Sequence, residues 1–128
     1  MQKEKNEMNK LVYIASPLSG DTGRNVLFAR KACRYAIARG NTPFAPQLIY
    51  PQILDDNNPS ERQLGLDMGT RMLTLCDELW LCGENISPGM EGECKLAREL
   101  CIPVLKVSSQ DILSVGFSPT KGVETSMG

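Results

Sequence analysis

The segment Ser87-Pro88-Gly89-Met90-Glu91-Gly92-Glu93 gathers a hydroxyl, a bare backbone and two carboxylates in a few residues. Ser87 is a natural helix N-cap, and Pro88 suits the first helical position. Beyond them, Gly89 leaves backbone amides open to a phosphate or a sugar hydroxyl. On a wheel of about 100° per residue, Met90, Cys94, Leu96, Ala97, Leu100 and Cys101 share one arc. Glu91, Lys95, Arg98 and Glu99 share the other. Glu93 falls inside the apolar arc. Glu91 lies on the wet side, four residues before Lys95, where a surface ion pair accounts for it. The helix dipole favours an ionised Glu93, and desolvation favours a neutral one. An inward carboxylate at such a place is a candidate nucleophile or base. The alternative is a structural glutamate bonded to backbone or to an arginine.

The remaining chemistry is bounded by what is missing. The chain has no histidine, so neither a Ser-His-Asp nor a Cys-His site can be assembled. Acid, base or nucleophile must be Asp, Glu, Lys, Tyr, Cys or Ser. Cys33, Cys76, Cys82, Cys94 and Cys101 are odd in number and form no CxxC pair. They read as small hydrophobes rather than as a zinc site or a disulfide framework. A reducing cytoplasm is the expected compartment. The loop Ser16–Gly23 offers hydroxyls and glycines ahead of a helix start, without a GxGxxG or Walker pattern. Asp77 precedes a strand and reads as a turn or cap residue at the far end of the sheet. Asp67 interrupts an apolar neighbourhood beside Met68.

The elements that must hold these groups alternate between strand and helix. Leu11–Ala15, Thr42–Ala45, Glu78–Gly83 and Pro103–Val107 read as short buried strands. Asp21 caps a helix that reaches about Arg39 and ends at Gly40, with Val26, Ala29, Cys33 and Ile37 near one face. Asn58-Pro59-Ser60-Glu61 starts a second helix, whose Leu64, Met68, Met72 and Leu75 form a stripe read as core or subunit interface. Pro88–Leu100 is a third. Pro46–Asn58 shows no periodicity, a length that often serves as a lid or binding loop. Ile112–Phe117 reads as a small strand or turn. The alternation predicts a parallel sheet with right-handed crossovers and ligands at its carboxyl edge. That rule selects the loops Ser16–Gly23 and Gly83–Gly89.

Length and composition agree with one soluble α/β domain. The chain has 128 residues, 41% hydrophobic and 23% charged, with net charge -1. No broad basic field exists to attract nucleic acid or anionic lipid, so neither is an expected partner. No apolar run approaches the ~20 residues of a membrane span. Residues 1–10 read as a flexible arm without a signal-peptide core. Residues 11–107 read as the domain, and 108–128 as a weakly ordered extension.

Together these residues resemble the nucleoside 2-deoxyribosyltransferase-like superfamily, closest to its short bacterial and phage members. The carrying segments are Val12–Gly20, Cys76–Trp80 and Ser87–Glu93 followed by Ala97. The last is the most specific: a Ser or Asp, a Gly two on, a Glu six on and an Ala ten on. The resemblance implies a single flavodoxin-like (Rossmann-like) domain that assembles as homodimers or larger homo-oligomers. It places the family nucleophile at Glu93, which would attack an anomeric carbon and expel a base. The glycosyl-enzyme would then pass its sugar to water or to another base. It implies a nucleoside or nucleotide substrate, and no metal or other cofactor. Tyr13, Ser16, Pro17, Ser19 and Gly20 would line the pocket with Ser87, Gly89 and Met90. An acid on the helix before the third strand falls between Asp67 and Gly69, with Asp67 as the candidate. Ser19 stands where the monophosphate-hydrolysing branch carries Arg. Pro46-Gln47-Leu48 replaces the Pro-His-Leu of short members. Two other readings compete: a nucleotide-sensing module of the same fold without turnover, and a structural or interaction protein.

Overall fold

The computed structural model describes residues 9–18 and 20–115. Most of the expected N-terminal arm, and residues 116–128 of the expected C-terminal extension, lie outside the described residues. Strand β1 is Leu11–Ala15, followed by helix α1 (Thr22–Ala38) and strand β2 (Thr42–Phe44). Two 3-10 turns, Pro46–Leu48 and Tyr50–Gln52, lead to α2 (Pro59–Leu73) and β3 (Glu78–Cys82). Then come α3 (Pro88–Glu99), β4 (Val104–Val107) and α4 (Ser109–Val115).

The strands form one parallel sheet in the order β2-β1-β3-β4. Tyr13 pairs with Phe44 on one side and Leu79 on the other, and Trp80 pairs with Leu105. Alternate strand residues serve opposite faces. Val12, Ile14, Trp80, Cys82 and Val107 join Ala32 and Ala36 of α1 and Ile112 of α4 in one core layer. Tyr13, Ala15, Leu79 and Leu81 join Leu73 of α2 and Met90, Cys94 and Ala97 of α3 in the other. This is a doubly wound, flavodoxin-like α/β fold. The chain winds first to β2 and then back past β1 to β3, so the switch point lies between β1 and β3.

Local chemistry explains the boundaries. Asp21 accepts from the Arg24 amide (3.2 Å), Asn58 from Ser60 and Glu61 (2.9 and 3.2 Å), and Ser87 from Met90 (3.2 Å). These satisfy amides that a helix start leaves unpaired. Gly83 ends β3 at φ +93°, a left-handed conformation that favours glycine. At the amino edge, Lys10 Nζ and Trp80 Nε1 donate to Glu78 (2.8 and 2.9 Å). Burial pushes the Glu78 carboxyl up, and these bonds with the Lys10 charge outweigh it and hold it low. Asp77 accepts from the Leu11 amide (2.8 Å), anchoring the start of β1.

Three expectations change. The buried side of α2 is Gly69 and Leu73, so of the two readings of the Leu64/Met68/Met72/Leu75 stripe, core or subunit interface, the core reading does not hold. Leu64 and Leu75 are exposed. On α1, Ala29, Ala32 and Ala36 face the sheet, and Ile37 is exposed. In both helices the small residues admit close approach to the sheet. Residues 109–115 form a helix where a strand or turn was expected, started by Ser108 accepting from the Asp111 amide (3.1 Å) and held by buried Ile112. No helix among the described residues is long and apolar enough to cross a membrane.

Candidate functional site

Tyr13 projects from β1 toward α2 and α3, and its hydroxyl donates to Glu93 Oε2 at 2.6 Å. The two residues lie eighty positions apart in sequence. The tyrosine is 1% exposed, and the glutamate is half-buried on the inward side of α3. Burial raises the Glu93 pKa above the usual carboxylate range, opposed by the Tyr13 hydrogen bond. Burial, then the Glu93 charge and the bond to it, push the phenol far above its ordinary value. Tyr13 therefore remains a donor. Glu93 is a desolvated carboxylate with Oε2 tethered. Its other oxygen has no hydrogen-bond partner among the described residues and is not a buried orphan. A carboxylate held by one oxygen and open at the other can act as a nucleophile, a base or a ligand-binding acceptor.

The surroundings are apolar and aromatic. The Phe44 ring lies 5.8 Å from Tyr13, and Tyr50 lies 6.4 Å from Phe44. This row leads from the carboxylate into the segment after β2. From α2, a Cβ at Gly69 would stand 3.2 Å from the Tyr13 hydroxyl. A Cβ at Gly65 would stand 3.5 Å from Leu54 and 3.8 Å from Tyr50. Helix α2 thus leaves little room for a side chain at Gly69 beside the hydroxyl that holds Glu93.

The other expected site residues divide. Ser16, 7% exposed at the carboxyl end of β1, accepts a short hydrogen bond from the Gln47 side chain. Pro17 is half-buried and Gly20 is exposed at φ +99°. Ser19 lies outside the described residues. The Leu18 carbonyl accepts from Asn25 Nδ2 (3.1 Å), which ties this loop to α1. Ser87 caps α3, and beside it Gly89 is exposed. Met90 is 2% exposed and packs in the core below the helix start. Asp67 is exposed and accepts from Gln63 (2.9 Å). No second carboxylate perturbs Glu93 among the described residues.

Sequence reasoning named Tyr13 and Glu93 without joining them, and it missed Gly69, Phe44, Tyr50 and Gln47. The β1/β2 register, pairing Tyr13 with Phe44, carries that information. Of the five cysteines, three are buried, Cys33 is half-buried and Cys101 is exposed. Burial raises the Cys82 thiol to about 12 and Cys33 and Cys76 to about 11, which suits packing rather than reactivity.

The fold and the edge-placed carboxylate define the class: a doubly wound α/β domain with its candidate site at the switch point. Residues 10–107 match the model of DUF7768, a domain of unknown function, and the chain belongs to that family. No curated protein matches it. Among solved structures it is similar to a 2-deoxyribosyltransferase from the psychrotolerant bacterium Bacillus psychrosaccharolyticus. The TM-score is 0.60 at 21% identity, over 77% of this chain and 72% of that one. At that identity the likeness is one of fold.

Proposed function

We propose that this protein is a nucleoside or nucleotide N-glycosidase, or a 2-deoxyribosyltransferase, with Glu93 as its nucleophile. The observation that carries the reading is the Tyr13–Glu93 hydrogen bond of 2.6 Å beside the switch point. Glu93 attacks the anomeric carbon, and the bond from that carbon to the base nitrogen breaks. The base leaves with the electron pair and takes up a proton. Water or a second base then displaces the sugar from the glutamyl ester, which divides one difficult displacement into two. Tyr13 positions the carboxylate, and Phe44 and Tyr50 offer rings to a planar base. Ser16, Gly20, Ser87 and Gly89 stand on the loops that would face the sugar or a phosphate. Free, mostly buried cysteines fit a reducing cytoplasm.

The test is a chromatographic screen for free base. Deoxynucleosides, ribonucleosides and their monophosphates are each incubated with wild type and Glu93→Ala. Base release that Glu93→Ala abolishes supports the reading, and release that survives it overturns the reading. One observation favours a second reading, a nucleotide-binding module without turnover. Asp67 is exposed and bonded to Gln63, and no second carboxylate acts on Glu93 among the described residues to protonate a leaving base. Tight binding of an intact nucleotide, with no product after long incubation, would select it.

A further inference from the structure

The two edges of the sheet are not alike. On β2 the Thr42 amide donates to Lys10 O (2.8 Å), so Thr42 and Phe44 turn their backbone groups toward β1. Pro43 then faces outward and has no N–H to offer, which blunts that edge. On β4 the carbonyls of Pro103 and Val107 accept from Leu79 and Gly83, both at 2.9 Å. Alternation then turns Leu105 toward β3 as well, and sends the N–H and C=O of Val104 and Lys106 outward. Among the described residues no strand pairs with this edge, and beside it, between β4 and the outer flank of α3, runs a groove of about 580 Å³. Leu81 and Cys94 line it together with Lys95, Arg98 and Lys106, and Glu91 and Glu99 stand among these cations.

We propose that this flank receives a second copy of the chain, through antiparallel pairing of β4 with β4 about a two-fold axis at Leu105. In that register Val104 stands opposite Lys106 of the second copy. Their outward N–H and C=O groups exchange both hydrogen bonds, so every outward backbone group of the strand is used. Leu105, 40% exposed in the single chain, meets its own copy as the close, non-hydrogen-bonded pair. The axis stands perpendicular to the sheet, so α3 and its copy lie antiparallel on one face. Helix α3 contacts both β3 and β4, so it and its copy flank the seam from the same face. Charge fits the same arrangement. Lys106 is brought to the end of the second copy where Glu99 stands, and Glu91 faces the Lys95–Arg98 turn. A lysine on an edge strand ordinarily discourages pairing; here its charge is met.

Sedimentation over a concentration series, with and without engineered cross-links, tests this independently of any catalytic activity. Wild type is expected to sediment as a dimer or as a multiple of it. Leu105→Lys, which sets like charges face to face at an exposed position, is expected to halve the mass. In a Cys101→Ser background, Leu105→Cys is expected to form a covalent dimer on mild oxidation, because Cα atoms of such a pair lie about 4.5 Å apart. Lys106→Cys, facing Val104, is expected not to. A wild type that stays monomeric at every concentration would overturn the proposal. So would an oligomer that neither Leu105→Lys dissociates nor Leu105→Cys cross-links.

Discussion

Replacing Tyr13 with Phe removes one oxygen and leaves the ring in its layer. The oxygen lost is the hydrogen-bond donor that holds Glu93, at 2.6 Å. A hydrogen bond to an ionised group is worth about 1.5–3 kcal/mol, and losing it leaves a desolvated carboxylate untethered. If that energy is expressed in the displacement step, kcat/KM falls roughly 10- to 150-fold. The pH profile separates this from simple damage. The Tyr13 bond opposes the rise that burial imposes on the Glu93 pKa. Without it that pKa rises further, so the acidic limb of kcat/KM moves to higher pH. Stability carries the same sign. The bond favours the charged form, so the deficit of Tyr13→Phe relative to wild type is present above the folded-state pKa of Glu93 and shrinks as pH falls through it. The assay is base release across pH, with thermal melts at neutral and acid pH. An unmoved acidic limb, together with a stability loss independent of pH, would show that the Tyr13 hydroxyl does not hold Glu93 in its charged form.

Glu93→Gln keeps an acceptor for Tyr13 and removes the charge. Because the folded pKa of Glu93 is raised, its contribution to stability is lost as pH rises through that value. The melting temperature of the variant relative to wild type should therefore increase from acid to neutral pH, while activity disappears. Gly69→Ala gains up to about 1 kcal/mol of helix propensity and sets a methyl 3.2 Å from the Tyr13 hydroxyl. Activity should fall with little change in thermal stability, as paired melts and kinetics would show. Ser87→Ala removes the α3 cap and should cost about 1 kcal/mol, or roughly 4 °C in melting temperature, measured by calorimetry.

The inward position of Glu93 and the outward position of Glu91 are legible from helical period alone, because α3 buries Met90, Cys94 and Ala97 on one arc. The caps at Asp21, Asn58 and Ser87 are legible because their side chains satisfy amides within three residues. Tyr13 is different. A strand covered on both faces reads as a continuous apolar run, so its sequence does not say which residues share a face. The pairing with Glu93 depends on contact across the whole domain. Helix α2 misleads for a related reason. Its sheet-facing side is marked by Gly69, which carries no hydrophobic signal, while Leu64 and Leu75 on other sides are exposed. Helix α4 is too short to show a period, and its few apolar residues read equally well as a strand.

The central claim is that the Glu93 carboxylate forms a covalent bond to a sugar. Intact-protein mass spectrometry of acid-quenched reactions with the most active nucleoside or nucleotide tests it most directly, followed by peptide mapping. The expected result is a mass increase of one glycosyl group, carried on the peptide containing Glu93 and absent from Glu93→Gln. Base release at the wild-type rate from Glu93→Gln, with no adduct on either protein, would contradict it.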